Sequence, residues 1–322
     1  MKNRVRNLHK FQIPCPNKMA YRRSYRRPRT TRKRTTRRGY GGARRRRSYP
    51  TTRGRYPRKT SAKRILNISS TKKRDNMMSY SNVTVANPIN GQTYGAGPAV
   101  LRGDQTYIFA WIPTARDLVR ADGEPNTPVW LAQRTRQTCY MRGLKEAMNV
   151  RTNSGSSWQW RRICFTMKGP NLIGYATTGS NLWQETSNGM VRTMNNVNTK
   201  PLGNEILAQL FRGAQNQDWL NVFNAQTDTT KFTIKYDRTI SIASGNEQGL
   251  VRTYKHWYPM NKNLVYNDDE NADGVLTSYT STNGKPGMGD YYVVDFFQPA
   301  DGADASDTLA LLPEATLYWH EK

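Results

Sequence analysis

Arginine pairs and short arginine runs recur near the start of the sequence, with tyrosines between them. A guanidinium group grips a phosphate through a planar fork, and a tyrosine ring stacks on an unpaired base of any identity. This pattern indicates binding to nucleic acid without sequence preference. The cationic positions are Arg22, Arg23, Arg26, Arg27, Arg29, Arg32, Lys33, Arg34, Arg37, Arg38, Arg44, Arg45, Arg46, Arg47, Arg53, Arg55, Arg58 and Lys59. The tyrosines are Tyr21, Tyr25, Tyr40, Tyr49 and Tyr56.

The same basic clusters have two other interpretations. A polybasic segment is also drawn to anionic lipid, but neither an amphipathic helix nor a lipidation signal accompanies this one, so we expect no membrane partner. Basic clusters match nuclear-import signals as well, which predicts an import receptor as a partner. The alternative is that these clusters match import signals only because any nucleic-acid-binding tail has a similar basic composition.

The positive charge of the chain is confined to one end. The 322 residues carry a formal net charge of +27, yet residues 1–74 contain 28 Lys and Arg and no Asp or Glu. Residues 75–322 contain 22 basic and 23 acidic residues. Between Ala20 and Arg64 there is no Val, Ile, Leu, Phe, Met or Trp, so little apolar burial offsets the ordering cost of about 1–2 kcal/mol per residue. We therefore expect a disordered Arg-rich arm at 1–74, in which Met19 is a second candidate start, and a folded body at 75–322.

The body shows the two-residue periodicity of β-strands, interrupted by clusters of Gly, Pro, Asn and Asp. One short helix is predicted at Glu205–Arg212, with Asn204 as its N-cap and Gly213 as its stop. A change of parity predicts a bulge or twist near Arg161 and Arg162. Eight strands with long connections favour an all-β fold, an eight-stranded antiparallel jelly roll. The predicted strands are Met77–Asn87, Thr106–Ile112, Thr138–Leu144, Trp158–Met167, Phe232–Ile242, Leu250–Tyr258, Tyr291–Phe297 and Ala315–His320.

A second group of candidate contacts lies within the body, where aromatic and guanidinium groups are close in sequence. Together such groups hold a base and its phosphate, which makes them candidate DNA contacts on an inner wall. The alternative is that the tryptophans fill the sheet core and the arginines form salt bridges or face solvent. The residues are Arg134, Arg136, Trp158, Trp160, Arg161 and Arg162.

Catalysis is not predicted. His9, His256 and His320 lie far apart, and no hydrolase, nucleotide-binding or metalloprotease motif is present. A nuclease could assemble carboxylates such as Asp290 and Asp295, or use His256 as a base, but surface acids and sheet histidines are the commoner explanation. We expect no enzyme activity and no cofactor.

No metal site or secretory signal is expected either. The acidic segment 268–274 partly matches the opening of a calcium loop, but Thr280 stands where such a loop needs a bidentate Glu, so a solvated turn is favoured. Three cysteines without metal-ligand spacing fit a reducing compartment. The segment Met1–Lys18 lacks the apolar core of a signal peptide, and no stretch approaches the ~20 apolar residues of a membrane helix.

Four segments carry a resemblance to a known family: the runs Met19–Arg38 and Arg44–Arg47, and the body segments Cys139–Met148 and Trp158–Arg162. Together they resemble the capsid proteins of genomoviruses (gemycircularvirus-like), which are circular, Rep-encoding single-stranded DNA viruses whose capsid proteins are related to geminivirus coat proteins.

The resemblance implies a structural protein of the virion. It would assemble with other copies of itself into a small icosahedral shell, package circular single-stranded DNA with its arm lining the interior, and deliver that DNA to the host nucleus. Two alternatives remain open, namely a cellular nucleic-acid-binding protein of ribosomal type and a viral movement or nuclear-shuttle protein.

Overall fold

The computed structural model describes residues 61–89, 91–120 and 122–322, which all belong to the second of two units, 59–322. Its helices are α1 (Ala62–Ser69), a 3-10 helix (Ile173–Tyr175) and α2 (Pro201–Leu210). Its strands are β1 (Thr71–Met77), β2 (Ser79–Ser81), β3 (Gly95–Ala96), β4 (Ala99–Arg102), β5 (Tyr107–Trp111), β6 (Thr138–Thr152), β7 (Trp158–Met167), β8 (Glu185–Thr186), β9 (Gly189–Met190), β10 (Arg192–Met194), β11 (Thr233–Ile242), β12 (Val251–Val265), β13 (Asp269–Asn271), β14 (Gly274–Leu276), β15 (Asp290–Pro299) and β16 (Thr308–Glu321).

Two antiparallel sheets packed face to face form the body. The first sheet has the order β1-β16-β6-β12, with β4 also paired to β16, and the second has the order β11-β7-β15-β5. The first long strand therefore pairs with the last, and β5 pairs with β15, the last but one. This wrapped order of eight long strands is a jelly roll, so the predicted all-β fold class is confirmed.

Three strands of the second sheet, β5, β7 and β15, are buried on both of their faces. The inner face of this sheet packs against the first sheet, where Trp160 of β7 shares a buried cluster with Met148 of β6. Its outer face is covered by α2, since Ile163 and Phe165 of β7 share another buried cluster with Ile206. A sheet enclosed on both sides needs apolar residues at successive positions rather than alternate ones.

This double burial explains the change of parity along β7. The predicted bulge at Arg161 and Arg162 is wrong, because β7 pairs with β15 in unbroken register from Trp158 to Met167. The register shift lies instead in the neighbouring strand β11, between Ile234 and Tyr236. Trp158 and Trp160 face the first sheet, whereas the apolar residues of opposite parity face α2.

Seven of the eight predicted strands coincide with β5, β6, β7, β11, β12, β15 and β16. The eighth differs. Within the predicted strand Met77–Asn87, Met77 is the last residue of β1 and Ser79–Ser81 form the short β2, so the first strand of the sandwich is β1. The charged sequence of β1 hides it, because Lys72, Lys73 and Arg74 read as part of the basic arm.

The boundary predicted at residue 74 therefore falls inside a strand. β1 pairs with β16 along its whole length, and Lys73 is buried with its amino group donating to the carbonyl oxygens of Pro128 (3.1 Å), Trp130 (2.9 Å) and Gln133 (3.0 Å). Residues 61–74 belong to the folded body. Residues 1–60, which hold most of the predicted arm, lie outside the described residues and contain 23 Lys and Arg without any Asp or Glu.

The predicted helix is present as α2 but begins four residues earlier than expected. Pro201 occupies its first turn, where a proline loses no helical hydrogen bond, and Lys200 rather than Asn204 is the N-cap. Gly203 permits a close approach, because a Cβ there would lie 1.9 Å from the carbonyl oxygen of Val197. Among the described residues no helix is long and apolar enough to cross a membrane.

Candidate nucleic-acid interface

The cationic and aromatic residues predicted to bind nucleic acid between Tyr21 and Lys59 lie outside the described residues. The six candidates within the body are all described. Arg136 is exposed, and the other five are buried against partners in the same chain.

Arg134 is held by an acidic residue and an aromatic ring. Its Nη1 and Nη2 donate to the two carboxylate oxygens of Asp268, at 2.5 and 3.1 Å, and its guanidinium lies 3.8 Å from the centre of the Tyr266 ring. Burial is the largest single influence on the pKa of Arg134 and lowers it, but the hydrogen bond to Asp268 and the electrostatic effects of Tyr266, Asp268 and Cys139 together outweigh burial, so this pKa is raised. This arginine closes the base of the β13–β14 hairpin, because its Nη2 also donates to the carbonyl oxygen of Ser278 at 3.2 Å.

The two tryptophans fill the space between the sheets. Trp158 and Trp160 are each 1% exposed. The Trp160 indole stacks on Phe297 with ring centres 5.7 Å apart, and its Nε1 donates to Oδ1 of Asp295 at 2.8 Å. Neither ring has a free face for a base.

Arg161 points to the opposite side of β7 and ties it to a loop. Its Nε and Nη2 donate to Asp237 at 2.9 and 2.7 Å, and its Nη1 donates to the carbonyl oxygens of Val222 and Ala225. The ring of Phe211 lies 5.3 Å from its guanidinium carbon. All of these contacts are internal to the molecule, and they occupy the guanidinium of Arg161.

Arg162 belongs to a buried group of four charges, which we call the buried quartet: Glu146, Arg162, Arg192 and Asp295. Arg162 donates to both carboxylate oxygens of Asp295, at 2.6 and 2.8 Å, and to Glu146 across the sandwich. Arg192 donates to Glu146 at 2.9 Å and to Asp295 at 3.1 Å. All four side chains are at most 2% exposed, and two positive charges balance two negative ones. Although burial opposes it, the two arginines hold the pKa of Asp295 below its ordinary value.

The interpretation of these residues as inner-wall DNA contacts is therefore wrong for Arg134, Trp158, Trp160, Arg161 and Arg162. Each is removed from solvent, and the three arginines and Trp160 already donate hydrogen bonds to carboxylates of the same chain. The alternative, in which tryptophans fill the core and arginines form salt bridges, describes them. Arg136 stays available.

A basic surface is present elsewhere, on the side of the first sheet that faces away from the second. Six exposed cations lie there, contributed by three of its strands, and among the outward-facing residues of the sheet's strands Glu314 of β16 is the one carboxylate. We call this surface the basic sheet face. Its cations are Lys72 and Arg74 of β1, Arg142, Lys145 and Arg151 of β6, and Lys255 of β12.

Aromatic rings lie among these cations. Trp257 is 49% exposed, and its ring centre is 5.8 Å from that of Tyr318. Tyr140 and His320 form a second ring pair at 6.0 Å. Burial, with the nearby charges of Lys72 and Arg142, lowers the pKa of His320, so this ring is neutral near pH 7. Cations and exposed rings on a flat sheet are the two components that single-strand binding uses.

Sequence reasoning missed this surface because its members come from four strands that are distant in the chain. Arg74 of β1 lies beside Tyr318 of β16, and Lys145 of β6 lies beside Trp257 of β12. The one available sequence signal was a strand-like alternation, in which Lys72 and Arg74 are exposed on either side of the buried Lys73. It was not recognised because these residues were assigned to the basic arm.

The acidic segment 268–274 forms a β-hairpin beside Arg134. Asp268 accepts hydrogen bonds from Arg134 and from the backbone nitrogen of Ser278, while β13 and β14 close a tight hairpin. In the part of the chain that the structure describes, no three His, Cys, Asp or Glu side chains lie close enough to hold a metal ion.

The fold and this surface define a class of molecule: a jelly-roll protein with a cationic, ring-bearing sheet face. No protein-family model matches the sequence, and a search of curated proteins gives no match.

Proposed function

We propose that this chain is a viral capsid protein that assembles into a small icosahedral shell, packages circular single-stranded DNA and directs that DNA to the host nucleus. The distribution of charge carries the proposal. Residues 1–60 contain 23 basic and no acidic residues, whereas residues 61–322 contain 27 basic and 23 acidic ones. Within that nearly balanced body, the outward-facing strand residues of the first sheet include six exposed cations and one carboxylate.

The fold alone would not carry the proposal, because jelly rolls occur in viral shells and also in lectins and cupins. A body with little net charge can pack against its own copies without strong repulsion. Closed assemblies of identical subunits follow point-group symmetry, and icosahedral shells need multiples of 60 copies. A basic N-terminal arm on such a body supplies the positive charge that balances a packaged polyanion.

The chain carries two cationic elements, residues 1–60 and the basic sheet face. Residues 1–60 continue into α1 and then into β1, which is the edge strand of the sheet that bears the basic sheet face. We propose that this face contributes to the inner wall of the shell. The resemblance to genomovirus capsid proteins supports DNA rather than RNA as the cargo.

Electron microscopy of the purified full chain tests the assembly. We expect uniform closed shells, and nucleic acid extracted from them should be destroyed by deoxyribonuclease and resist ribonuclease. A chain that stays dispersed at high concentration, while still binding nucleic acid, would favour a shuttle or ribosomal-type protein and contradict the proposal.

A matched pair of triple variants tests the basic sheet face. Lys72→Gln, Arg74→Gln and Lys145→Gln together should reduce the nucleic acid retained per shell and lower the slope of log affinity against log salt by about 2–3. The control, Arg212→Gln, Lys231→Gln and Lys285→Gln, removes the same charge from exposed positions away from this face. Equal losses in both variants would mean that only total charge matters and that this face has no special role.

A further inference from the structure

An exposed tryptophan lies over a glycine within the basic sheet face. A Cβ on Gly143 of β6 would lie 2.7 and 3.0 Å from two atoms of the Trp257 six-membered ring, and 2.6 Å from the carbonyl oxygen of Tyr258. One side of the indole is thus seated against the sheet where only glycine leaves room for it. The residue is nevertheless 49% exposed, so the other side faces solvent.

The surroundings of this indole are aromatic and cationic. Tyr318 lies beside it, with the two rings inclined at 59°. Lys145 is the direct cross-strand neighbour of Trp257, and Arg74 is that of Tyr318. Neither Lys145 nor Arg74 makes an ion pair with a described carboxylate, so both charges are available to an incoming anion.

Two other accessible rings, Trp130 and Tyr140, lack this arrangement. Trp130 is 48% exposed, but the guanidinium of Arg120 lies over its ring at 5.3 Å. Tyr140 is paired with the neutral His320. Among these rings, Trp257 combines close packing against Gly143, a half-exposed indole and neighbouring cations without an ion pair.

We propose that Trp257, seated on Gly143 and flanked by Tyr318, is a stacking platform for an unpaired base, with Lys145 and Arg74 binding the adjacent phosphates. The platform makes the sheet face prefer single-stranded nucleic acid over a duplex. In a duplex both sides of each base are already stacked, so an exposed indole gains nothing from it, whereas an unpaired base offers a free face. This inference rests on the proposed function, because it assigns to the basic sheet face the class of nucleic acid that the shell selects.

The test compares full-length variants for binding to fluorescently labelled oligothymidylate and to a DNA duplex of equal length. Measurements run at raised salt, where contacts made only by charge are weak. We expect Trp257→Ala to lose about tenfold in single-strand affinity with duplex affinity unchanged, and Trp257→Phe to retain most of it, since a phenyl ring still stacks. The control Trp130→Ala removes an equally exposed indole and should change neither affinity.

Two results would overturn the platform. Trp257→Ala could leave the ratio of single-strand to duplex affinity unchanged, or it could prevent shell formation while binding single strands as well as the parent chain, which would make Trp257 a contact between copies. If Trp257→Ala leaves that ratio unchanged but the chain still forms shells that retain DNA, the platform is refuted and the proposed function is not. A parent chain that neither assembles nor retains DNA defeats the proposed function itself.

Discussion

Arg162 lies between the two sheets with its guanidinium hydrogen-bonded to Asp295 beside it and to Glu146 on the opposite sheet. Removing charges from water is costly, and a buried ion pair repays that cost only when every partner is present. Within the quartet each carboxylate serves two arginines, so the loss of one arginine leaves a net negative charge in the core. The quartet links β6, β7, β10 and β15.

The first prediction concerns this quartet. Arg162→Met should lower the free energy of unfolding by about 3–5 kcal/mol, because Glu146 and Asp295 would share one remaining cation in a dry core. Denaturant titration followed by tryptophan fluorescence measures the change. Arg136→Met, which alters an exposed arginine, is the matched control and should leave stability unchanged. Similar midpoints for the two variants would show that the quartet contributes little.

A second prediction at this scale concerns pH. Burial raises the pKa of Asp290 from 3.8 to about 6, opposed by hydrogen bonds from the Ser281 hydroxyl and backbone. A carboxyl whose pKa is raised by folding favours the folded state at low pH. Its contribution is complete below pH 3.8 and is lost as pH rises through about 6.

Asp290→Asn should therefore gain stability relative to the parent as pH rises from about 4 to about 7, by at most about 3 kcal/mol. The difference in melting temperature between the two chains, measured across that range, isolates this group from all others. A difference that does not vary with pH would contradict the assignment.

At the scale of elements, β1 is the strand that sequence patterning hides. Seven backbone pairs join it to β16, and its inward positions hold Lys73, Asp75 and Met77. Asp75 is paired with Arg116 at 2.8 Å, and Lys73 closes the loop around Trp130. A strand with charged inward residues is stable here because each charge has a partner supplied by a loop.

The third prediction follows from this strand. Deleting residues 1–60 should leave a folded, soluble body, whereas deleting residues 1–74 removes most of β1 and exposes the edge of β16 to aggregation. Circular dichroism and size-exclusion chromatography of the two truncations measure the difference. Equal folding and solubility would mean that β1 is dispensable and that residue 74 is a valid boundary.

At the scale of the whole molecule, the proposed shell sets a charge balance. Residues 1–60 carry 23 positive charges per copy, and the basic sheet face adds a net five. Sixty copies then supply about 1,400–1,700 positive charges, which match one phosphate per nucleotide in a genome of about that length.

The length of DNA extracted from assembled shells is the fourth prediction. Gel analysis should show a single strand of about 1,400–1,700 nucleotides if the smallest shell forms. Removal of residues 1–60 should shorten or abolish the retained DNA. A genome several times longer would require other packaged cations and would show that these two elements do not balance its charge.

The sequence alone determined the fold class, because strand periodicity and turn residues are local signals that survive in the tertiary structure. Charge segregation is also local, so the basic leader was identifiable by counting residues. The ends of helices and strands were harder to predict from the sequence. Pro201 was not recognised as the start of α2, and β1 was taken as part of a run of basic residues.

Only the tertiary structure decided which aromatic and cationic residues remain accessible. Trp160 and Arg162 look in the sequence like a binding pair, but the burial of both sides of β7 places them in the core. Trp257 and Gly143 lie more than a hundred positions apart, and antiparallel pairing of β12 with β6 brings them together. Composition fixes how much charge a chain carries, whereas strand order fixes which side of a sheet displays it.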